Sequence, residues 1–274
     1  MRRKSVTLSF IKNNWIYLTW FLFYAFLFGV ITRWSILIFY LITIPLALSP
    51  LAEIIWRKIM GVRPLRLKSE KERLFPLFKE VYIGSMNANP HLPFYIRPYI
   101  KEDMSINAFA FGKRTLVLTR GCLELLNDEC LKGLMAHEFG HFSYRHTEAI
   151  LLSIVGNLPM TFLVRKLTDL KNHFNLSKNR RGLFAGIFFI FFDLIYYFFR
   201  GLELIGELLL MYSSRQNEYK ADKFALKSGF GRELTGVLIE IYSVSISKPE
   251  SVREQLKSTH PHITLRIQRL EKFV

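Results

Sequence analysis

"MAHEFGHFSYRH", residues 135–146, is the stretch on which the organisation of this chain turns. On an α-helix His137 and His141 fall one turn apart on the same face, so both imidazoles can reach one ion. Zinc suits imidazole nitrogen at about 2.0–2.1 Å, and a catalytic site takes three protein ligands and keeps a fourth position for water. Glu138 projects from the adjacent face, where it can take a proton from a water that the ion acidifies. The bland alternative is a polar helix face that happens to spell the same letters. A third ligand elsewhere in the chain decides between them.

The flanks narrow the choice. A metzincin-type extension needs Gly three residues after the second histidine and another His three further on. Tyr144 and Thr147 occupy those positions. His146, on a continued helix, points to the opposite side, which suits a solvated or capping role. A site inside a membrane helix needs apolar flanks, but "NDECLKG" (127–133) and "SYRH" (143–146) are polar.

A third ligand is on offer in "SSRQNEYKADKFALKSG" (213–229). If this segment is helical, Glu218 and Asp222 share a face. Glu218 can then ligate, while Asp222 accepts the outer N–H of a ligand histidine and fixes its tautomer. Alone, the segment reads as an exposed, charge-rich helix; beside two candidate histidines the balance reverses. Further on, "STHPHITLRIQRL" (258–270) offers His260 as a donor to the oxyanion of a tetrahedral intermediate. His262 suits that role equally on sequence grounds, and surface histidine is the plain alternative for both.

Half of the 274 residues are apolar and 15% are aromatic. Between Lys12 and Glu53 the only charge is Arg33. Residues 13–32 and 34–52 flank it, each long enough to cross a hydrocarbon core of about 30 Å as a helix. A cleaved signal peptide is the competing reading; the length of the first run, the lack of a small-x-small site and the immediate second span speak against it. The result is a transmembrane hairpin with Arg33 at its tip. The net charge of +16 gathers beside the apolar runs, as in "MRRK" and "WRKIMGVRPLRLKSEKER" (56–73). Basic flanks of this kind sit against anionic lipid on the cytoplasmic side, so both ends of the hairpin are expected there. No aromatic–basic motif or zinc-finger spacing points to nucleic acid. Cys122 and Cys130 suit neither a metal knuckle nor a redox pair, and are expected to be reduced packing residues.

Residues 53–146 change character. "EKERLFPLFKEVYIGSMNA" (70–88) has helical apolar spacing. "FYIRPYI" (94–100) reads as a strand that its proline confines to a sheet edge. "INAFAF" and "TLVLT" around "GKR" predict a β-hairpin turning at Gly112. Asn127 or Asp128 caps the next helix, with Leu131, Leu134 and Met135 as its buried stripe. Two apolar segments follow, 149–164 and 182–199. The first is short, at about 24 Å of helix, and Asp193 interrupts the second. The loop between them holds six Lys and Arg against one Asp, opposite to the positive-inside preference. A pair buried partly in the cytosolic leaflet or only weakly spanning, with its loop near the lipid headgroups, is the expectation.

Five elements in order, "NAFAFG" (107–112), "LTRGCLELL" (118–126), "LMAHEFGH" (134–141), "SRQNEYKADKFA" (214–225) and "THPHITLRI" (259–267), resemble the HtpX-type membrane zinc metalloproteases, relatives of the CAAX-prenyl proteases. The resemblance covers nearly the whole chain. It implies one zinc ion per chain, held by His137, His141 and Glu218, with Glu138 as general base, Asp222 supporting a ligand and His260 stabilising the transition state. It also implies that the edge strand around Asn107, Ala108, Phe109 and Ala110 grips an extended peptide by main-chain hydrogen bonds. Two departures stand out. Asn217 replaces the arginine common before the ligand glutamate, and His262 replaces a common proline. The chain is too short for the seven spans of the CAAX-prenyl branch, so a prenylated substrate is not implied.

The expected fold is thus a mainly α membrane protein: a hairpin (1–52), a zincin-like α+β catalytic domain (53–146 and 201–274) with a small β-hairpin, and a hydrophobic insertion (147–200). The expected protein is an integral cell-membrane zinc endopeptidase facing the cytoplasm, in contact with the lipid bilayer and acting on damaged membrane proteins. The rival is a catalytically idle scaffold that keeps zinc structurally. Glu138 and His260 speak against it, because a structural site needs neither.

Overall fold

Arg33 and Trp34 adopt left-handed backbone, at φ 52° and 69°, and reverse the chain between two apolar helices. These are α1 (Arg2–Ile31) and α2 (Ile36–Ala47). Phe21 of α1 meets Tyr40 of α2 at 5.3 Å between ring centroids, which fixes the pair as an antiparallel hairpin. The computed structural model describes residues 2–176, 183–245 and 261–272. Within α1, Leu8–Ile31 is long and apolar enough to cross a membrane. The 12 residues of α2 cover only about 18 Å. At Ser49 the chain then bends by 72° into α3 (Pro50–Ile59). Ser49 caps this helix by accepting from the Ala52 N–H at 3.2 Å, and Pro50 sits where a missing N–H costs nothing. The second arm expected over 34–52 is therefore a bent pair of helices.

Four strands follow: β1 (Val62–Pro64), β2 (Arg97–Lys101), β3 (Ala108–Phe111) and β4 (Thr115–Thr119). Their order is β1-β2-β4-β3, with β2 and β4 parallel and the outer pairs antiparallel. The hairpin expected at Gly112 is present, and Gly112 has φ +57°. The placing of "FYIRPYI" at an edge is corrected, because β2 lies between β1 and β4. Proline is tolerated there for a local reason. Arg97 donates its N–H to Arg114 O at 2.8 Å, so the missing donor of Pro98 faces the β1 side. The register with β1 stops at Tyr99, one residue short of it. The edge strands are β1 and β3, and the start of β3 is held by Cys122 Sγ donating to Asn107 O at 3.0 Å.

The sheet covers a helical core. α4 (Lys68–Ala88), α8 (Leu183–Lys227) and α9 (Gly231–Ser245) surround α6 (Asp128–Ser143), and short α5 (Arg120–Leu125) leads into it. Asn127 caps α6 by accepting from the Cys130 N–H at 2.8 Å. Leu131 and Met135 are fully buried in the main cluster, and Leu134 lies with them. α7 (His146–Leu176) and α8 pack on α1 in a second apolar cluster around Tyr24, Phe28, Met160 and Val164. α10 (Ile263–Glu271) closes the domain over α8 and α9.

Two expectations for the later apolar segments change. The stretch His146–His173 is 28 residues, long and apolar enough to cross a membrane, so the short segment 149–164 is part of a longer apolar helix. α8 runs without a break through residue 200, so the segment with Asp193 and the segment with Glu218 are one helix. Asp193 is paired with Lys171 of α7 at 3.0 Å.

Candidate active site

Two glycines on α6 let the site assemble. A Cβ on Gly133 would overlap the backbone of Glu233 and Leu234 in α9, and one on Gly140 would lie 2.7 Å from Ala221 Cα in α8. Backbones this close bring the histidine face of α6 directly against the Glu218 face of α8. The Nε2 atoms of His137 and His141 are 3.3 Å apart. Glu218 Oε2 lies 3.4 Å from the first and Oε1 3.4 Å from the second. A tetrahedron with arms of about 2.0–2.1 Å has edges of about 3.3–3.4 Å, so each separation matches an edge between two zinc ligands, with one Glu218 oxygen set against each histidine. Ligand atoms of His137, Glu138 and His141 also lie within 4.8 Å of one another. The residues present fit a metal ion.

The surrounding residues orient the histidines. Asp222 Oδ1 pairs with His137 Nδ1 at 2.8 Å, which turns Nε2 toward the centre. Arg266 of α10 then holds Asp222 with two prongs, Nε to Oδ2 at 2.9 Å and Nη2 to Oδ1 at 2.6 Å. Its Nη1 reaches Glu218 Oε2 at 3.2 Å. Burial works against the Asp222 carboxylate, but Arg266 and His137 outweigh it and hold its pKa below the usual value. Burial and Arg266 also oppose charge on His137, yet Asp222 and Glu218 prevail and raise it to about 9. The centre has a surplus of negative charge that a cation would balance.

His146 is corrected by the structure. It is fully buried, not solvated, and its Nδ1 lies 3.1 Å from His141 Nδ1. α6 ends at Ser143, and Arg145 takes φ +56°, so His146 opens α7 and swings back toward the site. Arg266 was missed altogether in the sequence. The signal was a charge on the apolar stripe of a short helix, three residues after Ile263 and four before Leu270.

Glu138 is buried beside the histidines, and Oε2 accepts from the Ala110 N–H at 2.7 Å. Burial lifts its pKa above the ordinary carboxylate value, against the pull of His141 and His137. The Ala110 contact also fixes the direction of the edge. Asn107 O accepts from Thr119 N–H at 3.0 Å, so Asn107 and Phe109 turn their main-chain groups toward β4. Ala108 and Ala110 turn theirs outward. His260 lies outside the described residues. His262 is exposed and pairs with Thr264 Oγ1 at 2.7 Å.

Comparison with known proteins agrees with this geometry. Residues 70–274 match the model of Peptidase family M48. The Protease HtpX homolog of Thermoanaerobacter pseudethanolicus is 29% identical over 204 residues, covering 64% of this chain and 65% of that protein. The Protease HtpX homolog of Dictyoglomus turgidum is 32% identical over 194 residues, covering 63% and 62%. This chain thus spans just under two thirds of the length of these relatives. Among solved structures, S. mikatae Ste24p shares the fold at a TM-score of 0.55 and 22% identity, over 97% of this chain and 64% of that one. By the family match over three quarters of its length, the chain belongs to peptidase family M48.

Proposed function

We propose that this chain is a membrane-embedded zinc endopeptidase, with His137, His141 and Glu218 as ligands and Glu138 as general base. The observation that carries it is the set of donor separations of 3.3–3.4 Å between two helices, with a buried carboxylate alongside. When bound, zinc supplies a Lewis acid that polarises the substrate carbonyl and acidifies water. Glu138 takes the proton from the attacking water. Its raised pKa lets it keep that proton and pass it to the leaving amine. The Ala110 N–H anchors one carboxylate oxygen and leaves the other to work.

An extended peptide laid along β3 finds the N–H and C=O of Ala108 and the C=O of Ala110, since the Ala110 N–H is already engaged. Of the four residues expected to bind substrate, Ala108 and Ala110 thus make the main-chain contacts. Asn107 and Phe109 flank them. His260 is proposed as the donor to the developing oxyanion. Asn14, where α1 breaks, donates to Tyr144 O at 3.0 Å, and Lys220 donates to Asn13 O at 2.8 Å. The site therefore lies level with the emerging ends of the apolar helices. That position supports substrates drawn from damaged membrane proteins, and the basic flanks of the apolar runs support a site on the cytoplasmic face.

Casein cleavage by the purified full chain tests this. Activity should vanish with a zinc chelator and return on adding zinc. Chelator-resistant cleavage would overturn it.

A further inference from the structure

α3 carries a largely exposed apolar stripe, in which Trp56 also packs against Phe111 of β3 at 6.2 Å between ring centroids. Leu51, Ile54, Ile55, Trp56 and Ile59 are all exposed, Ile59 to 68%. They follow helical spacing around one side, with Lys58 among them. The stripe continues from exposed Ile38, Leu41, Ile42 and Leu46 on α2. The 72° bend between the two helices turns it from along the apolar hairpin to across it. Trp and Lys are the residues that settle at the boundary between headgroups and acyl chains, Lys by extending its stem along apolar surface.

The opposite side of α3 is fully committed. Glu53 is buried, and its carboxylate accepts from the Lys113 N–H and, at 3.2 Å, from Thr115 Oγ1. Arg57 donates to the same Thr115 hydroxyl at 2.9 Å. A Cβ on Gly112 would collide with the Glu53 carboxylate. Thr147, at the start of α7, holds Gly112 O from the other side at 2.6 Å. The turn of the β3–β4 hairpin is thus clamped between α3 and α7, and the strand entering it, β3, delivers the Ala110 N–H to Glu138.

We propose that α3 lies in the plane of the membrane surface with its stripe in the lipid, and that Glu53 is a positioning residue that sets the hairpin against Glu138. The partner is the interfacial zone of a phospholipid bilayer. The positioning half rests on the proteolytic reading; the lipid seat does not.

A full chain carrying W15F, W20F and W34F keeps Trp56 as its sole tryptophan. In phospholipid vesicles, Trp56 fluorescence should be quenched most by lipids brominated near the headgroup end of the chain, at a depth of about 5–10 Å. Quenching mainly by aqueous iodide, or mainly by bromine near the chain terminus, would overturn the seat. Kinetics test Glu53. E53A should lower kcat/KM for an extended peptide by up to about 100-fold with metal content unchanged. E53Q, which keeps an acceptor for the Lys113 N–H, should restore most of it. Wild-type kinetics in E53A, or loss of metal in step with activity, would overturn the positioning role. If the wild-type chain cleaves nothing, the proteolytic reading and the positioning role fall together, and Trp56 quenching still decides the seat.

Discussion

Glu138 sits under two constraints that meet at one oxygen. Burial raises its pKa, and the Ala110 N–H steadies the carboxylate. Glutamine at 138 keeps the shape and loses the base, so E138Q should lower cleavage by about 10²–10⁴ while the metal stays bound. Around it, Arg266 matters more than its surface-like sequence context suggests. Removing it strands Asp222 against His137, and breaking a buried pair of this kind costs about 3–5 kcal/mol. R266A should therefore unfold at lower denaturant, and metal competition with a chelator should show affinity weakened about 10–100-fold. Unchanged affinity would mean that Asp222 orients His137 without help. H146F makes a matching test at the second histidine. His141 faces Glu218 with Nε2, and its Nδ1 pairs with His146 Nδ1 at 3.1 Å. The variant should weaken metal binding without abolishing it. The ligand spacing was legible in the sequence because i,i+4 pairs share a face in any helix. His146 and Arg266 were not, because one depends on a backbone break and the other on a helix packed from far along the chain.

Elements explain which parts of the fold could be read. Helices α4 and α6 followed from local periodicity and a cap. The four-stranded sheet did not, because β1 is only three residues long and the central place of β2 depends on partners at both sides. Near that sheet, Arg63 and Arg120 bind Glu70 at 2.6 and 2.8 Å and tie β1 to α4 and α5. Hydrogen bonding from Arg63, then Arg120, outweighs burial and lowers the Glu70 pKa to about 2. A group depressed in the folded state lends stability above its unfolded pKa, and that stability fades as pH falls toward the folded value. Stability should thus decline between about pH 4.5 and 2, and less steeply in E70Q, as followed by near-ultraviolet circular dichroism. Equal slopes would deny the network this role.

At the scale of the whole molecule, charge and length disagree about the second apolar pair. The basic loop favours the cytosolic side. Yet His146–His173 gives about 42 Å of helix, more than a hydrocarbon core needs. The Lys171–Asp193 pair lies far along α7 from the site, where two charges neutralise each other. Length is the stronger constraint, so cysteine at Asn175, in a C122S/C130S background, should be labelled from outside intact cells by an impermeant thiol reagent. No labelling would restore the shallow seat. This architecture couples the site to the apolar helices: α8 carries Glu218 at the end of its apolar stretch, and α7, long and apolar enough to cross a membrane, begins with His146. In the proposed enzyme Glu218, arriving on that long helix, completes the metal centre begun by His137 and His141. Metal analysis of the purified full chain tests it most directly. One zinc per chain should be found in the wild type and in E138Q, and almost none in E218A, with D222A between. Full zinc retention in E218A would contradict the account.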